Sequence, residues 1–240
     1  RRFLPGKILQ LPFGNCGRLH PGWLDMNFKG AIFDLDGTLL DSMPFWETLG
    51  SEYLKAKGII PRENVDRTLK TMSLQQGARY LKRKFSIPGS EDEIIDEIVA
   101  MIEDIYLSKV PLKAGALPLL ERLYEEKVRM CIATATENSL AKAALERLGA
   151  LRYFDFILTC FDTGMGKDRQ EFFLKALELL NTPKEETIVF EDALYAIKSA
   201  KAAGLLVVAV YDESFHEERE EIRVISDFYL DSLEDWEMIL

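Results

Sequence analysis

Asp34 and Asp36 stand one residue apart, separated by Leu35 and followed by Gly37-Thr38. Ala31-Ile32-Phe33 runs directly into them. A buried strand should end where the charges begin, because an unpaired carboxylate is costly to bury. Alternate residues of an extended chain point the same way, so both carboxylates are expected on one side. Gly37 permits a sharp turn behind them. Two acids held like this repel each other, and a hard divalent cation such as Mg²⁺ is the natural ion to sit between them. Alone, a D-x-D-G run also reads as a strand end with an Asp-Gly turn. Three further groups bear on the choice: Thr134 with Ala135, Lys167 in Gly164-Met165-Gly166-Lys167, and Glu191-Asp192. Each has its own plain reading, as a strand-end cap, a solvated loop lysine and a helix cap.

The elements that must position these groups can be read from the periodicity. After Ser42, residues Phe45, Leu49, Tyr53 and Leu54 mark one face of a helix, with Gly58 near its end. Ser73 could cap a helix carrying Ala78, Leu81 and Phe85. Ser90, followed by Glu91-Asp92-Glu93, opens a helix with acids placed well for its dipole, and Ile94, Ile95, Ile98, Ile102 and Leu107 give it an apolar stripe. Residues 44–110 therefore read as an all-helical insertion. From residue 111 onward helices alternate with apolar strands at 128–133, 156–159, 187–190 and 205–210, with a weaker strand at 228–230 and a terminal helix at 233–239. Such alternation predicts an α/β fold with a Rossmann-like, doubly wound parallel sheet. Ligands of open α/β sheets sit beyond the carboxyl ends of the strands. All four polar groups fall at ends predicted to share that edge.

Composition narrows the class. The 240 residues are 48% hydrophobic and 29% charged, with a net charge of −10, which argues against nucleic acid or an anionic membrane as partner. An anionic substrate would need locally placed cations. Three scattered cysteines, Cys16, Cys131 and Cys160, fit a reducing cytoplasm better than a disulfide framework. His20 and His216 are too few and too far apart for a zinc site. The most apolar run, Gly204 to Val210, has the length of a buried strand, far short of a membrane span. Residues 1–25 carry Pro and Gly without period, so Met26 is expected to be the natural start and the preceding segment an extension from cloning or upstream translation.

The combined set resembles the haloacid dehalogenase superfamily. Asp34-Leu35-Asp36-Gly37-Thr38 matches its D-x-D-G-T first motif, Thr134 the second, Lys167 the third and Glu191-Asp192 the fourth. Residues 189–197, followed by Ala202-Ala203-Gly204, look like the β-phosphoglucomutase-like and phosphatase branch, and the helical insertion lies where that branch carries a small cap. The resemblance implies a core of residues 26–43 and 111–240 and a cap of 44–110. It also implies a Mg²⁺-dependent phosphatase acting on a small phosphorylated metabolite. Asp34 would be the nucleophile, forming an aspartyl-phosphate, and Asp36 the acid and base. Asp34, Asp36 (through its main-chain carbonyl) and Asp192 would hold Mg²⁺, with Glu191 close by. Thr134, Ala135 and the amides near Leu35 and Gly37 would donate to the phosphoryl oxygens, and Lys167 would neutralise them.

Some positions depart from the family pattern. Asp168 stands where the family usually has Pro, and is expected to cap the helix at Arg169. Mutases of this kind carry a histidine after the first motif and a cap arginine for the second phosphate, and here those positions hold Trp46 and Leu74. Hydrolysis is therefore expected over a sugar phosphomutase reaction. Ser73, Gln75, Gln76 and Arg79 are polar candidates for the cap's substrate loop, and Trp46, nearest the hinge, is the one aromatic assigned to substrate contact. A phospho-accepting signalling domain also combines acids, Thr and Lys on a parallel sheet, but lacks the insertion and the D-x-D-G-T spacing. A metal-free dehalogenase has no use for Asp36 or Glu191-Asp192. No feature sets the oligomeric state, and a monomer is expected.

Overall fold

The computed structural model describes residues 28–69, 72 and 74–238. The segment 1–25, its boundary at Met26 and Ser73 lie outside the described residues. In chain order, β1 (Gly30–Phe33) is followed by α1 (Met43–Trp46), α2 (Leu49–Ala56), α3 (Val65–Leu69), α4 (Leu74–Phe85), α5 (Glu91–Asp104) and a π-helical turn, Ile105–Lys109. Then come α6 (Ala116–Glu125), β2 (Arg129–Thr134), α7 (Asn138–Arg147), β3 (Phe156–Thr159), α8 (Cys160–Thr163), α9 (Gln170–Leu180) and β4 (Thr187–Glu191). The chain continues through α10 (Leu194–Ala202), β5 (Leu206–Val210), α11 (Arg219–Ile225) and β6 (Phe228–Leu230) to a 3₁₀ stretch, Leu233–Met238.

The six strands lie in the order β3-β2-β1-β4-β5-β6, all parallel. Parallel strands joined by helical crossovers are covered on both faces, so β1 and β4 are buried throughout, and their interiors, Ala31–Phe33 and Ile188–Phe190, are continuous apolar runs. Alternation splits each strand between two cores. Phe33, Ile132 and Phe190 face one layer with Leu120 and Leu145, while Ile32, Val189 and Val207 face the other with Phe172 and Ile197. Phe33 and Phe190 are register partners and stack at 4.3 Å. That register sets Asp34 beside Glu191, at the point where the winding reverses between β1 and β4.

The helices between β1 and β2 keep an apolar cluster of their own, built from Tyr53, Leu54, Val65, Leu81, Ile94 and Ile98. Ser90 and Glu93 form a reciprocal capping box at the start of α5. The two crossings that join these helices to the sheet run side by side: Leu40 pairs antiparallel with Leu112, and the Asp41 amide donates to the Pro111 carbonyl at 3.0 Å.

Three expectations need correction. The single helix drawn through Phe45 and Leu54 is two, because the chain turns at Glu47-Thr48 between α1 and α2. Leu107 does not continue the stripe of α5; it is 55% exposed, and the inward place falls to Tyr106, four residues past Ile102. The terminal helix is 3₁₀.

Candidate active site

The carboxyl edge of β1 and β4, with the loop after α8, brings Asp34, Lys167, Glu191 and Asp192 into one buried group, and Thr134 is buried at the end of the neighbouring strand β2. The Lys167 ammonium is 2.6 Å from Asp34 Oδ1 and pairs also with Glu191 Oε1. Glu191 Oε2 accepts from the backbone amides of Asp192, at 2.6 Å, and Ala193, at 2.8 Å. Both Glu191 oxygens are thus committed to the protein. Asp192 accepts from the Thr38 hydroxyl at 2.8 Å through Oδ1, while its Oδ2 lies against the bare Cα of Gly37. Gly37 has φ +82, and a Cβ there would collide with the Asp192 carboxylate. The glycine of the first motif therefore serves both the turn and the approach of an acid from a strand whose sequence lies far away.

Electrostatics follow from this packing. Asp34, Glu191 and Asp192 set three carboxylates against one ammonium, so full ionisation leaves two negative charges without a partner. Burial pushes the Asp34 carboxyl up to about 6, with Lys167 pulling against it and Glu191 adding to it. Burial raises Asp192 strongly, reinforced by Glu191 and Asp34. For Lys167, burial alone would favour the neutral amine, but Asp34 and Glu191 outweigh it and hold the ammonium protonated. Among the described residues, Asp34, Glu191 and Asp192 form a set of potential metal ligands, with one oxygen from each lying within 4.8 Å of the others. Hard oxygen donors in charge excess fit a hard divalent cation. With Glu191 turned to amides and Lys167, the oxygens best placed for an ion belong to Asp34 and Asp192.

Asp36 does not join its carboxylate to that set. Its Oδ1 accepts from the Tyr106 hydroxyl at 2.5 Å and its Oδ2 from the Thr136 hydroxyl at 2.6 Å. Burial raises its carboxyl, and the two hydroxyls oppose the rise. The picture of one cation held between the side chains of Asp34 and Asp36 is corrected accordingly: the partner acids of Asp34 are Glu191, the last residue of β4, and Asp192 just after it. Thr134 is buried at the end of β2, and its hydroxyl accepts from the Thr136 amide at 3.0 Å. Ala135 follows on an exposed turn.

The remaining assignments are distributed differently. Leu35 is buried and its amide turns to the Asp34 carboxylate. The Gly37 amide, expected to donate to substrate, is closed on the Leu40 carbonyl at 3.0 Å. Asp168 is exposed and lies over Gly166; α9 begins at Gln170 with no side-chain cap, so the capping role fails. Trp46 is 39% exposed and donates its indole N–H to the Tyr106 hydroxyl at 3.1 Å. Gln75 and Gln76 are exposed on α4, and Arg79 is committed to Glu91. Sequence reasoning missed Thr38, Tyr106 and Thr136. Thr38 stood inside the first motif, but the other two carry no local signal.

Fold and site define an α/β enzyme whose parallel sheet gathers acids, a lysine and hydroxyls at its carboxyl edge. The model of the haloacid dehalogenase-like hydrolases matches residues 31–210, and the chain belongs to that family. It is 30% identical to validoxylamine A 7'-phosphate phosphatase of Streptomyces hygroscopicus subsp. limoneus, over 76% of this chain and 85% of that one. Hexitol phosphatase A of Escherichia coli K12 is likewise 30% identical, over 77% and 84%. Among solved structures, a Thermotoga maritima protein provisionally described as a β-phosphoglucomutase superposes with a TM-score of 0.78 at 22% identity, covering 88% of this chain and all of that one. No described helix is long and apolar enough to cross a membrane.

Proposed function

We propose that this chain is a Mg²⁺-dependent phosphatase that hydrolyses a phosphomonoester of a small metabolite, of the sugar or polyol kind that its relatives' names indicate. The observation that carries the reading is the seat of Lys167 against Asp34 at 2.6 Å, with Glu191 and Asp192 at its side. An ammonium fixed beside a carboxylate neutralises a phosphoryl group brought to that carboxylate, and keeps the two anions from repelling. In the first step Asp34 attacks phosphorus and the alkoxide departs with a proton from Asp36, leaving an aspartyl-phosphate. In the second, water loses a proton to Asp36 and attacks the same phosphorus, releasing phosphate and Asp34. Thr134 and the Ala135 amide would donate to phosphoryl oxygens. Asp34, Asp192 and the main-chain carbonyl of Asp36 would hold Mg²⁺, which supplies charge neutralisation between nucleophile and phosphate. The helices of residues 44–110 would act as a cap over a core of 26–43 and 111–240, excluding bulk water from the labile intermediate.

Hydrolysis is favoured over phosphomutase chemistry because Trp46 and Leu74 put no cation where a second phosphate would need one. A panel of sugar, polyol and nucleotide phosphates, assayed for released phosphate with and without Mg²⁺, tests the reading. Metal-dependent release that Asp34→Asn abolishes is expected. Release that survives in Asp34→Asn, or conversion of a sugar 1-phosphate to its 6-phosphate without free phosphate, would overturn it.

A further inference from the structure

We infer that Tyr106 is a positioning residue for proton transfer by Asp36, with Trp46 fixing the direction of its hydroxyl; the inference rests on the phosphatase reading above. Tyr106 is 1% exposed, yet its hydroxyl reaches Asp36 at 2.5 Å, and Thr136 holds the other carboxylate oxygen at 2.6 Å. The two hydroxyls are 3.4 Å apart, so Asp36 is gripped at both oxygens by neighbours that also face each other.

The chemistry of the grip matters. Lys167 holds Asp34 and Glu191, but Asp36 is met by hydroxyls. A hydroxyl both donates and accepts. It can therefore keep its bond to Asp36 whether that carboxyl holds a proton, as before leaving-group departure, or has given it up. Trp46 adds direction. Indole N–H is a donor only, and it occupies a lone pair of the Tyr106 oxygen at 3.1 Å. The single hydrogen of Tyr106 is thereby left to point at Asp36.

The ring itself is anchored. Tyr106 sits in the π-helical turn that ends the helical insertion, and Arg147 of α7 donates to its carbonyl at 3.3 Å and to that of Val110 at 2.5 Å. Trp46 lies on the outgoing crossing from the sheet and Tyr106 on the returning one. The chain of bonds Trp46–Tyr106–Asp36 thus ties the acid to both crossings.

The test separates proton delivery from packing. Tyr106→Phe removes one oxygen and keeps the ring. Values of kcat/KM, which report the first phosphoryl transfer, are measured on p-nitrophenyl phosphate, whose leaving group departs without a proton, and on the sugar phosphate turned over fastest in the panel. The sugar phosphate is expected to lose about tenfold and the aryl phosphate under about threefold. Trp46→Phe should show the same split, smaller in size. Equal losses on both substrates, with or without a lowered melting temperature, or no loss on either, would overturn the inference and leave the phosphatase reading standing. A wild-type enzyme inactive on both substrates would sink that reading, and this inference with it.

Discussion

Replacing Lys167 with Met removes the one cation that, among the described residues, pairs with Asp34 and Glu191, and leaves a side chain of similar length. At 2.6 Å, and an effective dielectric of about 20, the Lys167–Asp34 attraction alone is about 6 kcal/mol before the cost of desolvation. Measured losses on breaking a buried pair run about 3–5 kcal/mol, because a charge is left unmatched. Here the protein has a partial escape. Asp34, Glu191 and Asp192 would be three buried acids without a counter-charge, so one of them should take up a proton. Folded-state carboxyls then hold more protons than the unfolded chain, and stability rises as pH falls. Each pH unit over which one extra proton is held is worth about 1.4 kcal/mol. Relative to wild type, Lys167→Met should be destabilised by about 3–5 kcal/mol at pH 8 and should recover about 2–3 of those by pH 6. Mg²⁺ should stabilise the variant by offsetting the same excess charge. Urea denaturation at the two pH values, with and without MgCl₂, reads all of this. A deficit independent of pH, or no deficit at all, would refute the electrostatic account of the site.

Further outcomes follow from the same geometry. Gly37→Ala adds a Cβ into the Asp192 carboxylate at φ +82, so it should lower stability by about 1–3 kcal/mol and weaken Mg²⁺ binding, as thermal melts and calorimetry would show. Because burial pushes the metal-free Asp34 carboxyl up to about 6, a cation must displace its proton below that pH; this competition alone should lower apparent Mg²⁺ affinity about fivefold from pH 6 to pH 5 and far less between pH 7 and pH 8, with the raised Asp192 carboxyl adding to the fall, measured by titration calorimetry. Thr38→Val leaves Asp192 Oδ1 without its donor and should weaken Mg²⁺ binding more than it weakens folding, since the fold's cores do not depend on that hydroxyl.

Much of this architecture was legible because strand and helix periods are local. The runs that end at Thr134, Thr159 and Glu191 are unbroken apolar stretches, and parallel pairing makes that pattern unavoidable. The motif residues were legible as types at strand ends, and the register Phe33 with Phe190 converts that into contact. The partners of Asp36 were not. Tyr106 is 70 residues away in sequence and Thr136 is 100, and nothing local to either encodes the pairing. Leu107 looked like the better inward residue because it is apolar, whereas the period from Ile102 favours its neighbour Tyr106. Spacing outweighs composition there, because a buried tyrosine can pack its ring inward and still bring its polar tip to a partner. Gly37 was read for its turn, and the second reason for glycine, the Asp192 carboxylate against its Cα, depends on a strand more than a hundred residues later. Asp168 shows the converse: an acid before a helix reads as a cap, but the chain folds it back over Gly166.

The central claim is that Asp34 takes the phosphoryl group from substrate. Acid-quenching the Asp36→Asn variant during turnover, followed by peptide mass spectrometry, tests it most directly, because loss of the base should slow breakdown of the intermediate. The account predicts a phosphoryl group on Asp34, absent in the Asp34→Asn/Asp36→Asn double variant. Phosphoryl label on another side chain, or its absence from Asp34 while wild-type enzyme releases phosphate, would contradict it.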